Sequence, residues 1–201
     1  MPYLSPQLLI ATAIHISRSS PTYRQSPTDH ALQQPAHLRT RDPEWGFTDD
    51  AAFIQHCGFW SHFDSDTLES IWPIEAGRSA HHLLCFGAAH SLVHTEPAEG
   101  DIFLQTQFGG ESYVHAGIVV EVLATGKYDE AHRYFDVYTV EGNTDDCGRV
   151  FGGKTRRVHR RLSSALGDVF VRWADFHRSL DAKSAGASAD LGELDEAEGG
   201  V

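Results

Sequence analysis

Tyr113-Val114-His115-Ala116-Gly117-Ile118-Val119-Val120-Glu121-Val122-Leu123 is the stretch on which the fold turns. It is long, apolar and rich in β-branched side chains, and it reads as a strand. Upstream, Asp101-Ile102-Phe103-Leu104 reads as a shorter strand. Downstream, a Gly-containing hairpin turn around Gly126 is expected to lead into Arg133-Tyr134-Phe135-Asp136-Val137-Tyr138-Thr139-Val140-Glu141. Val158-His159-Arg160-Arg161-Leu162 and Val169-Phe170-Val171-Arg172-Trp173 complete the set. Short strands separated by Gly-rich turns predict an antiparallel sheet.

Before Gly100 the periodicity is helical. Asp49 and Asp50 precede a run in which Phe53, Cys57 and Trp60 recur at helical spacing, and an Asp suits the cap or first turn. A second helix is expected from Ser79 to about Ser91, with Leu83, Leu84 and Ala88 toward a core and Pro97 closing the connection. Helices gathered before an antiparallel sheet define an α+β class, with N-terminal helices packed on a twisted sheet. This unit is placed at residues 44–177.

The flanks read differently. Residues 1–43 form an N-terminal arm, partly disordered. In it Leu8–Ile14 is a short apolar run read as a fraying or poorly packed helix, and 19–43 is a linker punctuated by Pro21, Pro27, Pro35 and Pro43. Residues 178–201 form an acidic tail. From Lys183 it is Ala/Gly/Ser/Asp/Glu-rich, with too little apolar surface to offset its ordering entropy, so disorder is expected.

Composition narrows the function classes. The 201 residues are 41% hydrophobic and 22% charged, ordinary for a soluble globular protein. With 16 Lys and Arg against 28 Asp and Glu, the formal net charge is -12. Nucleic acids and anionic membranes need clustered positive charge, so neither is an expected partner. No apolar window reaches about 18 residues, so no membrane insertion is expected. Leu8–Ile14 lacks a basic segment before it and a small-residue cleavage site after it, so no signal peptide is read, and the expected location is cytoplasmic unless another export route operates. Cys57, Cys85 and Cys147 are an odd number at long spacings and read as reduced thiols. His90-x-x-x-His94 has helical ligand spacing but Ser91 stands where His-Glu-x-x-His carries its Glu, so no metal and no cofactor is expected.

Three strings, in order, carry the chemistry. Gly100-Asp101 opens a strand, His115 lies inside the apolar strand His-Ala-Gly-Ile-Val-Val-Glu-Val, and Glu141-Gly142-Asn143-Thr144 ends the next strand. A cysteine hydrolase needs a thiolate, a base that takes and returns its proton, and a third group that holds the base's tautomer. A His and a Glu or Asn on neighbouring strands supply the last two. Taken singly, a strand His is more often packed or superficial, and Glu-Gly-Asn is usually a turn.

The ordered set resembles the CHAP family of papain-like peptidoglycan amidases and endopeptidases over about residues 44–175, most closely from Gly100 onward. Gly152-Gly153, Arg160-Arg161 and Phe170-Val171-Arg172-Trp173 are similar to the closing strands of such domains. The resemblance implies a papain-like fold, His115 as general base, Glu141 as its orienting partner, Asn143 as a further polar residue at the site, and a peptidoglycan or peptide-like ligand.

The nucleophile departs from that pattern. The family places a cysteine at the start of the first core helix, where the helix N-terminus favours the thiolate. Here Asp50 aligns with it, or, if Trp45 is the anchor, Gly46 does. Cys57, the nearest thiol candidate, lies two turns into the helix, roughly 10 Å along its axis, and reads as a buried inert thiol. Cys85, in Leu83-Leu84-Cys85-Phe86, is expected to be packed; Cys147 follows Asn143 in a turn-like loop. Asp50 is a poor nucleophile toward an amide, and a helix-capping role suits it better. Three readings stand: a Cys-His-Glu peptidoglycan hydrolase, a CHAP-fold binding module without catalysis, and an unrelated α+β domain.

Overall fold

A computed structural model describes residues 5–19, 50–64, 69–70, 72, 80–107, 112–127, 133–144 and 154–176. The expectations for 20–43 and for the tail 178–201 fall outside these residues. The helices are α1 (Pro6–Ser19), α2 (Asp50–Ser61) and α3 (Ala80–Ala89). β1 (Phe63–Asp64) and β2 (Glu69–Ser70) pair with each other. β3 (Val93–His94), β4 (Ile102–Gln107), β5 (Ser112–Lys127), β6 (Arg133–Thr144), β7 (Lys154–Leu162) and β8 (Val169–Val171) form one six-stranded antiparallel sheet in the order β3-β8-β4-β5-β6-β7. Three helices on an antiparallel sheet place the chain in the α+β class.

Strand alternation separates the sheet's two faces. Ile102 and Leu104 of β4, Ala116 and Ile118 of β5, Val140 of β6 and Val171 of β8 belong to one core cluster with Phe53, Ile54 and Cys57 of α2 and Leu83 of α3. The intervening residues Phe103, Val119, Phe135, Val137, Leu162 and Phe170 form a second cluster on the opposite face. That face is enclosed because the sheet curls. β7 ends at Leu162 and β8 begins at Val169, on opposite sides of the β4-β5-β6 strands. Residues 163–168 bridge them, and the Phe135 and Phe170 rings meet edge to face at 5.9 Å. Asp168 ties the bridge, accepting the Ser163 N–H at 2.9 Å and the Thr106 N–H at 3.1 Å. Register shifts in β4–β5 and β5–β6 supply the local twist such curling needs.

Four expectations are corrected. Leu8–Ile14 is not a poorly packed helix: α1 runs from Pro6 to Ser19 and buries Leu9, Ala13 and Ile16 in the helix-side core. These residues recur at i, i+4 and i+7, so one face is apolar although the run is short. Gly126 is not in a turn. It pairs with Tyr134 inside the β5–β6 ladder, and the Tyr134 ring occupies the space a Cβ would need. On α3, Gly87 rather than Ala88 is buried with Leu83. Cys85 is exposed rather than packed. It lies ~200° around the helix from both Leu83 and Gly87, hence on the outward side.

Two of the quoted strings meet at the other end of the sheet. Asp101 accepts the Arg172 guanidinium as a fork, Nε at 3.1 Å and Nη2 at 3.0 Å, and also the Ala98 N–H at 2.7 Å. The Gly-Asp that opens β4 and the Arg that follows β8 therefore pin neighbouring strands.

Candidate functional site

His115 and Glu141 stand on adjacent strands and meet. His115 pairs with Gln105 across β4–β5, which puts its ring on the Phe103 side of the sheet, 5.8 Å between ring centroids. Val140 pairs with Ile118, so Glu141 comes alongside Gly117, two residues along β5 from His115. The interaction is therefore diagonal, and Gly117 makes it possible. A Cβ there would lie 2.6 Å from Phe103 Cε1 and 2.7 Å from Glu141 Cγ. Across that gap His115 Nε2 reaches Glu141 Oε2 at 2.7 Å. A contact so short carries a proton, and Nε2–H donates it to the Glu141 carboxylate.

Glu141 has two further partners. Arg160 on β7 donates through Nε to Oε1 at 2.8 Å and through Nη2 to Oε2 at 2.6 Å. Thr139, two residues before Glu141 and so on the same face, donates its hydroxyl to Oε1. His115 is 1% exposed and Glu141 0%. Burial pushes the Glu141 carboxyl up, but the hydrogen bonds from Arg160 and then from His115, together with the charge attraction of both groups, outweigh it, and the net position is below the ordinary value. Glu141 is thus ionised at neutral pH, in a fully hydrogen-bonded buried array.

The two described thiols are elsewhere. Cys57 is fully buried in the helix-side cluster, on the face opposite that of His115, and burial pushes its thiol well above the ordinary value. Cys85 is exposed on α3, its sulfur 3.4 Å from His81 Nε2. Asp50 is the first residue of α2, as the helix-start reading requires. Asn143 belongs to β6, immediately after the array, while its side chain, Gly46 and Cys147 lie outside the described residues.

The His90/His94 spacing is not helical in the fold. α3 ends at Ala89, the His90 ring packs against Phe86 and Phe176, and His94 lies in β3, 3.7 Å from Asp175. Among the described residues no group of three or more His, Cys, Asp or Glu is disposed to hold a metal ion. No described helix is long and apolar enough to cross a membrane.

Comparison with protein-family models, with characterised proteins and with solved structures finds no match for this chain.

Sequence reasoning placed His115 and Glu141 but did not single out Arg160 or Thr139 as their partners. Thr139 was recoverable from strand alternation. Arg160 was not, because β7 carries Arg156, Arg157, Arg160 and Arg161 and nothing in the string marks which one turns inward.

Proposed function

We propose that this chain is a CHAP-type domain, homologous to peptidoglycan amidases and endopeptidases, that has lost ordinary cysteine chemistry. The observation that carries this reading is the His115–Glu141 pair on adjacent strands, arising from the ordered Gly-Asp, His-x-Gly and Glu-Gly-Asn strings. A base held by a carboxylate is what acyl transfer by a thiolate requires. Loss of the chemistry rests on the two described thiols and on the helix start: Cys57 sits across the sheet from the base, Cys85 is engaged with His81 on α3, and Asp50 stands where the helix begins.

One observation favours the second reading, a binding module for a cell-wall peptide or a protein partner. At 1% exposure the His115 ring presents no surface to a substrate, so the array acts as an internal brace. The test is loss of turbidity by a purified peptidoglycan suspension, with and without a thiol alkylator. The unaltered protein is expected to give no alkylator-sensitive lysis; robust lysis of that kind would overturn the reading. Asp50→Cys and Gly46→Cys restore a thiol under the two alignments. Alkylator-sensitive lysis gained by either one identifies the lost nucleophile position. No gain from either, with retained peptidoglycan pull-down, puts the binding module ahead.

A further inference from the structure

We propose that the cleft between the end of α1 and β7 is a binding site for a small oxyanion of the phosphate class. It lies apart from the His115 array and goes beyond the peptidoglycan reading, which it neither needs nor tests.

Two faces build the cleft. On α1, Ile14, Ser17 and Arg18 stand at i, i+3 and i+4 and so share one side of the helix. On β7, Thr155 and Arg157 alternate with the residue that turns to Glu141. Arg157 pairs with Val140 of the helix-side core, so both look toward the helices. Between the two faces lies a cavity of about 250 Å³, lined by these five residues and Arg156. Pockets for drug-sized molecules hold about 300–1,000 Å³, so this one suits a single small polyatomic group.

The lining is chemically one-sided. It carries guanidiniums and hydroxyls and no acidic side chain. Arg18 is exposed, and no carboxylate answers it among the described residues. Arg157 is held in place: its guanidinium lies 4.1 Å over the Tyr138 ring and donates through Nη2 to Glu121 at 2.6 Å. The other N–H groups of that fork have no acceptor among the described residues. Thr155 is 3% exposed, and its hydroxyl likewise has no described partner. A buried hydroxyl left unbonded costs free energy, and here it borders the cavity. Ser17 is satisfied, donating to the Ile14 carbonyl at 2.9 Å. Arg156 has a contact of its own, and the site does not depend on its charge.

An oxyanion meets these unmet needs together. It gives Arg18 a counter-ion, accepts charge-assisted bonds from both guanidiniums and takes a third bond from Thr155. Donors on two walls favour a tetrahedral group with three acceptor oxygens over a carboxylate with two. The carbonyl end of α1 works against an anion, so the guanidiniums and not the helix carry the site. A charged polymer would need a broad basic surface, which a chain of net charge -12 lacks.

The test titrates the full-length protein with inorganic phosphate, at an ionic strength held constant with chloride, while backbone amide shifts are recorded by NMR. Saturable shifts centred on Ser17, Arg18, Thr155 and Arg157 are expected. In a parallel arm acetate is expected to bind at least about threefold more weakly, because it offers fewer acceptors. Arg18→Ala should raise the phosphate Kd about tenfold, the worth of a charge-assisted hydrogen bond. Thr155→Val keeps the shape without the hydroxyl and should raise it about threefold. Arg133→Ala removes an equal charge at the exposed pair with Glu96 and should leave the Kd unchanged. Shifts that do not saturate, or a Kd that responds to Arg133→Ala as much as to Arg18→Ala, overturn the proposal. So does a Kd that Arg18→Ala leaves at the wild-type value. Equal affinity for acetate overturns the phosphate class. If Thr155→Val does not fold, the exposed Arg18→Ala decides the matter. Peptidoglycan turbidity enters none of these outcomes.

Discussion

On the helix side of the sheet, Leu9, Phe53, Ile54 and Leu83 meet Ile102, Leu104, Ile118 and Val140 with no ionised group among them. On the other side, Phe103, Val137 and Phe170 share the interior with His115, Glu141 and the Arg160 guanidinium. Both faces are closed to water, but they are held together differently. The helix-side core depends on area and volume, so each lost methylene costs its own transfer and cavity terms. The other face depends on mutual satisfaction. Its members were stripped of water to enter, and each is tolerable only while the others remain. The first face should fail by degrees and the second as a unit.

The largest expected effect tests that unity. Glu141→Leu leaves the part-buried Arg160 guanidinium and the buried His115 ring without their carboxylate and should cost about 3–5 kcal/mol in urea unfolding. Glu141→Leu combined with Arg160→Met removes both charges and should recover most of that loss. Additive costs in the double variant would show that the two residues do not act together.

On the helix side no such recovery exists. Leu9→Ala should cost about 2–4 kcal/mol, because α1 is part of the main core and the cavity cannot fully collapse. A cost below about 0.5 kcal/mol would return α1 to the status of a loosely held arm.

The smallest effect is in acid. Glu141 sits below its ordinary value of 4.5, so its stabilising contribution is present above that value and lost as pH falls through the lower folded one. Asp168 is the reverse. Burial raises it above 3.8, and the Ser163 and Thr106 bonds only partly offset this. The folded state therefore takes up its proton first, and Asp168 becomes less costly as pH falls through its raised value. Between pH 6 and pH 3.5 the stability difference between wild type and Glu141→Gln should shrink, while that between wild type and Asp168→Asn should move in the wild type's favour. Urea midpoints across this range check both, and parallel slopes would break the comparison.

Much of the scaffold was legible in the chain. Helical spacing of Phe53 and Cys57, and the β-branched run through His115, fixed which segments are helix and which are strand, because periodicity is a local property of side-chain direction. Leu9, Ala13 and Ile16 were legible in the same way, yet so short a helix has no meaning until a sheet is present to cover. Gly126 misled for a related reason. A glycine usually marks a turn, and only the Tyr134 ring across the strand explains why it is in the ladder.

For the site, the sequence by itself determined that a His and a Glu stand on consecutive strands, since strand periodicity is local. Only the tertiary structure decided how they meet, diagonally over Gly117. It also decided that Cys57 lies on the far face, because one residue of strand phase separates the two sides of a sheet. It alone selected Arg160. Arg157 reaches Glu121 and Arg161 reaches Asp136 at exposed positions, while Arg160, of opposite phase, turns in to Glu141. A string of four arginines shows charge, but which one turns in to the carboxylate depends on the curl of the sheet, and that curl is set by contacts between strands far apart in the chain.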